Sequence, residues 1–197
     1  MKEKTKKTIL PLCLCGIFVA LATALSFIKI YKLPLGGSVT LFSMLPIIML
    51  SFMLGKKWGL SAAFCYSVLQ LFCGIAFDGL LGWGLTPTAL IGTIFLDYII
   101  PFTILGLASV FGKKNILRIA LGTAFCIAIR FLSHFLSGFI IFRTLEQFAA
   151  FGNVFSNRPI LYSLCYNGSY MLPELIITVI GACLLFSLPQ IKKMINK

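Results

Sequence analysis

Acidic side chains are nearly missing from this sequence. Asp and Glu total five against seventeen Lys and Arg in 197 residues, and there is a single histidine, His134. No G-x-x-x-x-G-K-[ST] phosphate loop occurs, which excludes ATP binding by that route. H-E-x-x-H, G-x-S-x-G and any motif with paired carboxylates are also missing, so the enzyme classes built on them have no support. None of the seven cysteines (Cys13, Cys15, Cys65, Cys73, Cys126, Cys165 and Cys183) forms a C-x-x-C pair. Zinc-ligand spacing is absent, and an odd count argues against a full disulfide framework. All seven lie inside apolar runs and read as small packing residues of helices. The net charge of +12 suggests nucleic acid at first sight. The basic residues, however, form no single stripe and no RNA-binding motif accompanies them, which argues against that partner.

What the chain does have is apolar length. It is 59% hydrophobic, with a mean hydropathy of +1.02, where a soluble domain carries about 45–50% apolar residues. The basic residues sit in clusters between apolar runs, the arrangement that sets membrane orientation. The expectation is an all-α membrane protein, a single domain over residues 1–197, with six transmembrane helices and a cell-membrane location. The predicted spans run from about Ile9 to Ile28, Val39 to Leu54, Trp58 to Ala76, Thr88 to Phe111, Ile116 to Phe142, and Ile160 to Leu188. No cleavable signal peptide stands out, and the first run is long enough to be a retained span. The second, at roughly 16 residues, is short for one.

Six spans put both termini on one side. The tails and the loops after spans two and four carry Lys2, Lys4, Lys6, Lys7, Lys56, Lys57, Lys113, Lys114, Arg118, Lys192, Lys193 and Lys197, twelve in all. The opposite loops carry four, Lys29, Lys32, Arg143 and Arg158. Both termini are therefore expected to be cytoplasmic. The outer loops, KIYKLPLGGS, FDGLLGWGLTP and Arg143 to Pro159, are longer and rich in Gly, Pro and aromatic residues. Loops of that kind carry binding function, so a site opening outward is expected.

This topology allows depths to be compared. At about 1.5 Å per residue, Asp97, His134 and Asn167 come from three different spans yet lie at one level, about 11–14 Å below the outer surface. Tyr98 adjoins Asp97, and Tyr162 is nearer the mouth. Arg130 shares a helix face with His134, four residues away, and lies deeper, level with Glu174. Ionisable residues within a span are costly unless they face protein or a cavity. For Arg130 and Glu174 a structural ion pair is the favoured reading. For Asp97, His134 and Asn167, an interhelical hydrogen-bond network and a ligand site both fit. On the first span Gly16, Ala20 and Ala24 recur every four residues and make a nearly flat face, suited either to internal packing or to docking a partner.

The stretches LPLGGSVTLFSMLPIIMLSFMLG, FLDYIIPF, RFLSHFLSGFIIF and PILYSLCYNGSYMLPELIIT, in this order, resemble the thiamine-specific substrate-binding (S) components of energy-coupling factor vitamin transporters. The likeness covers nearly the whole chain. It implies a six-helix fold with a vitamin site near the outer face and no cofactor or metal. It also implies partners: a transmembrane coupling (T) component and two cytoplasmic ATPases. By the same resemblance Asp97, Tyr98, His134, Gly138, Tyr162 and Asn167 contact thiamine, and Gly16, Ala20 and Ala24 dock the T component. A tryptophan that some members place four residues after the glycine is Phe142 here. Tyr66 stands where others have a third-span tryptophan, and Trp83 is a candidate ring in the loop after it.

The chemistry is compatible with that implication. A carboxylate such as Asp97 can meet a ring nitrogen and an exocyclic amine in a two-point contact. Asn167 offers both a donor and an acceptor. Aromatic rings can hold a thiazolium cation, each contact being worth about 0.5–2 kcal/mol. A site with one acidic residue and no basic cluster disfavours a diphosphate. An S component for another vitamin, a self-sufficient transporter and an intramembrane enzyme built on His134 and Asp97 are the rival readings.

Overall fold

The structure, a computed structural model, describes residues 2–142 and 158–195. Arg143, most of the third outer loop, and Lys197 lie outside the described residues, as do the side chains of the first lysines. Among the described residues five helices are long and apolar enough to cross a membrane: Thr8–Ser26, Lys56–Phe77, Pro87–Phe111, Ile116–Ile140 and Pro159–Ser187. The first of these begins upstream, so α1 is Lys2–Ser26. The others are α3, α4, α5 and α6. Between α1 and α3 lies a short apolar helix, α2, Leu45–Leu54, and Pro189–Ile195 forms a terminal α7.

The second predicted span is where sequence and structure part. It begins at Leu45 rather than Val39, because Ser38–Thr40 is an edge of a small sheet. Strand β1 (Lys29–Lys32) pairs antiparallel with β2 (Ser38–Thr40), in the register Lys29 with Thr40, Tyr31 with Val39 and Lys32 with Ser38. After β2 the chain turns sharply through Phe42, a non-glycine residue with φ of 60°. A bulky residue rarely adopts that conformation, and it persists only when its surroundings fix it. Here the Phe42 ring packs so closely on Gly181 of α6 that a Cβ there would come within 2.7 Å of it. The short α2 is tolerated because protein surrounds it. Leu45, Pro46, Ile47, Ile48, Leu50, Ser51 and Phe52 are all buried, and Phe52 meets Phe186 of α6 edge-on at 5.1 Å between ring centroids.

Helix α4 is not a regular helix throughout. Ile94–Ile99 winds as a π-helix, in which the Ile100 amide donates to the carbonyl of Phe95, five residues back. Pro101 explains the position. It has no amide hydrogen to offer the Asp97 carbonyl, and its ring crowds that carbonyl, so the turn before it widens. The widened turn holds Asp97 and Tyr98.

Candidate functional site

Beneath the β1–β2 hairpin the helices enclose a cavity. Its walls include Asp97, Tyr98 and Phe102 of α4, Arg130, His134 and Gly138 of α5, and Tyr162, Asn167, Tyr170 and Glu174 of α6. The hairpin adds Thr40, the chain between its strands adds Leu35 and Gly36, and Asp78, Trp83 and Phe142 stand near the mouth.

The three residues expected at one depth are brought together. His134 Nδ1 is 2.9 Å from Asp97 Oδ1, and the Asn167 side-chain amide donates to the His134 carbonyl at 3.2 Å. Arg130 settles the tautomer. Its Nε carries a hydrogen and accepts nothing, and it lies 3.3 Å from His134 Nε2. Nε2 must accept, so Nδ1 holds the proton and donates to Asp97. The imidazole is neutral, and both its nitrogens are spent on positioning. The Ser137 hydroxyl donates to the other Asp97 oxygen. The carboxylate is thus oriented from both sides while each oxygen keeps a further lone pair for a ligand.

Asn167 is equally committed. Its Nδ2 also donates to the Ser163 carbonyl at 2.9 Å, and its Oδ1 accepts from the Tyr170 hydroxyl at 2.8 Å. Because both carbonyls can only accept, the amide orientation is determined by its neighbours. Asn167 clamps α6 to α5, and Gly138 permits the approach: a Cβ there would lie 2.3 Å from Ser163 Oγ. Tyr98 packs across Gly74 of α3 in the same way, its hydroxyl 2.2 Å from where a Cβ would be.

Near the mouth, Trp83 donates from Nε1 to the Asp78 carbonyl at 3.1 Å. Its ring meets Phe142 at 6.1 Å between centroids. An indole therefore stands against the position where the resemblance expected a tryptophan. Lys29 and Lys32 of β1 both reach Asp78 Oδ1, at 2.9 and 2.8 Å. Burial alone would raise the Asp78 carboxyl, but the two ammonium groups outweigh it and hold the group below its ordinary value.

Two expectations are corrected. Tyr66 is fully buried behind Phe102, its ring edge-on to that residue at 5.4 Å between centroids, and it is not part of the cavity wall. Arg130 and Glu174 both line the cavity, but among the described residues they form no salt bridge within 4.0 Å. Besides His134, the guanidinium reaches Met44 Sδ through Nη1 at 2.6 Å and lies over the Phe102 ring at 4.3 Å. Glu174 Oε1 instead accepts from the Thr40 amide at 2.6 Å and the Thr40 hydroxyl at 2.7 Å. Equal depth did not mean contact, because depth along a helix says nothing about direction around it.

Sequence reasoning also missed Ser137, Tyr170 and Thr40. The first two were within reach of it: Ser137 is three residues after His134 and Tyr170 three after Asn167, so each shares its neighbour's helix face. Thr40 had no signal, since its role depends on a strand whose apolar end reads as the start of the second span. The small-residue face of α1 points away from the protein. Cys15, Val19 and Ala22 are buried while Gly16, Ala20 and Ala24 are exposed, and a Cβ on Gly16 would meet nothing within 4 Å. Internal packing is therefore not what that face does.

The chain is 31% identical over 186 residues to the thiamine transporter ThiT of Bacillus subtilis (strain 168), covering 87% of each protein. Its fold matches a solved structure of ThiT from Listeria monocytogenes with a TM-score of 0.72, over 96% of this chain and 98% of that one, at 22% identity. The sequence model of the thiamine transporter protein family (Thia_YuaJ) matches residues 12–194. This multi-pass membrane protein belongs to the thiamine transporter protein family.

Proposed function

We propose that this chain is the thiamine-binding S component of an energy-coupling factor transporter. It captures extracellular thiamine in the cavity under the hairpin, takes no part itself in ATP hydrolysis, and passes the vitamin inward when a T component and two cytoplasmic ATPases drive it. Both termini are cytoplasmic in this reading, in keeping with the twelve basic residues against four.

The observation that carries it is the charge balance of the cavity. At the mouth Asp78 is matched by Lys29 and Lys32; below it Arg130 faces Asp97 and Glu174, while His134 is neutral by its bonding. One cation against two carboxylates leaves one negative charge in the aromatic-lined interior below the mouth. An uncompensated buried charge is costly, and a ligand with one permanent positive charge removes the cost. Thiamine has that charge on its thiazolium. Its aminopyrimidine suits the free lone pairs of Asp97, with Trp83, Phe142 and Tyr162 to stack on it from the mouth side, and Tyr98, Phe102 and Tyr170 supply rings for the cation below.

Equilibrium binding to the purified chain with thiamine, riboflavin and biotin tests the substrate. Tight binding of thiamine alone is expected, and tight binding of riboflavin or biotin without thiamine would refute it. Liposomes holding the chain with and without the coupling complex test the energetics. Uptake is expected only with the complex and ATP, and uptake by the chain alone would make it a self-sufficient transporter.

A further inference from the structure

We infer that Glu174 reads the free hydroxyl of the ligand's side arm and thereby selects the alcohol over its phosphate esters; this rests on the thiamine reading above. Glu174 is 1% exposed. Its Oε1 is saturated by the amide and hydroxyl of Thr40. Thr40 Oγ1 gives its only hydrogen to Glu174, so the Ser43 hydroxyl, 2.6 Å away, must donate to it. Both donors of Thr40 are thus directed at Oε1. Oε2 is buried and has no hydrogen-bond partner among the described residues. A buried acceptor left unmade is destabilising and uncommon in folded proteins.

The natural candidate to satisfy it is Arg130, and the structure rules that out. The guanidinium is turned to His134, Met44 and Phe102. Both residues nevertheless line the cavity. Its deep end is therefore bordered by Glu174, whose Oε2 needs a donor, beside a cation that can donate. A hydroxyl matches both, with one hydrogen to give and two lone pairs to receive. A methyl group leaves Oε2 unmade. A phosphate ester, with a charge of about −1.5 to −2 at neutral pH, meets the carboxylate as a like charge.

The spacing suits a ligand with its ring system above and its arm below. Glu174 follows Asn167 by seven residues on one face of α6, on the order of 10 Å along the axis. Arg130 lies one turn from His134 in the same direction on α5. With the aminopyrimidine at Asp97, the hydroxyethyl arm of thiamine points to this end.

The test measures dissociation constants of thiamine, thiamine monophosphate and the analogue with ethyl in place of hydroxyethyl, for the full-length chain and for Glu174→Gln. In the unaltered protein the ethyl analogue should bind about ten- to a hundredfold more weakly than thiamine, the range for a hydrogen bond to a charged group. In Glu174→Gln the preference for thiamine over its monophosphate should shrink at least about tenfold, because a donor replaces the repelling oxygen and Arg130 remains. Equal binding of thiamine and the ethyl analogue by the unaltered protein overturns the inference, even if the variant fails to fold. So does an unchanged monophosphate preference in a folded variant. If the unaltered protein binds no thiamine at all, the reading beneath the inference fails, and that result is distinct from either of these.

Discussion

Arg130 donates from Nε to His134 Nε2 at 3.3 Å, and this one bond decides what the histidine does. It forces the proton onto Nδ1, makes the imidazole a donor to Asp97, and leaves no nitrogen free for a ligand. His134 is a positioning residue in this arrangement. Removing it should weaken binding through Asp97. His134→Ala should lose about tenfold or more in affinity, the scale of a hydrogen bond to a charged acceptor. His134→Asn, whose amide can replace the Nδ1 hydrogen, should recover much of that loss. Calorimetric titration of thiamine against both variants checks this. If alanine binds as well as histidine, the bond to Asp97 has no part in recognition.

Asp97 itself should be more sensitive. It sits in the π-helical turn that Pro101 creates, held by His134 and Ser137 with lone pairs to spare. Asp97→Asn keeps size and shape but removes the charge and turns one acceptor into a donor. A loss of roughly 1.5–3 kcal/mol in thiamine binding is expected. Unchanged affinity in the variant would remove Asp97 from the site.

How far the site was readable follows from the geometry of helices. A constant rise per residue aligns Asp97, His134 and Asn167 across three spans from sequence alone, and the structure links all three. The same rise put Arg130 level with Glu174 but gave no angle around the helix axis, so a pair was expected where each residue has other partners. Tyr66 failed for the same reason: its helix was right and its direction wrong. The hairpin was hidden differently. Strands of three and four residues, flanked by Pro34, Gly36 and Gly37, are too short to show alternation: β1 reads as loop, and Val39 and Thr40 of β2 read as the start of the second span. Their pairing is fixed by distant partners, Glu174 for Thr40 and Asp78 for Lys29 and Lys32, which no local pattern encodes.

Those lysine contacts make Asp78 a tie between the hairpin and the loop carrying Trp83. Its carboxyl is depressed in the folded protein. A depressed group contributes above its unfolded value, near 4, and that contribution is lost only as pH falls through the lower folded value. The tie should therefore hold unchanged from about pH 5 to 8. Asp78→Asn should weaken it by about 1 kcal/mol, a partly exposed pair being worth little more, and so speed thiamine release roughly fivefold. Trp83 lines the cavity, so stopped-flow tryptophan fluorescence reports the release rate. A rate that changes steeply between pH 5 and 8 in the wild type but not in the variant would contradict this account.

The exposed face of α1 separates binding from transport. Gly16, Ala20 and Ala24 are accessible while Cys15, Val19 and Ala22 hold the helix to the protein. None of the three exposed residues lines the cavity. Small residues in membrane helices allow a second helix to approach closely, so a large ring there should exclude a partner without disturbing the ligand site. Ala20→Trp should bind thiamine with wild-type affinity, because its side chain points away from every residue that forms the pocket. In liposomes with the coupling complex and ATP, the same variant should lose nearly all uptake. Full uptake would show that the T component docks elsewhere. Lost binding would show that α1 tilts under the substitution and that this face supports the fold after all.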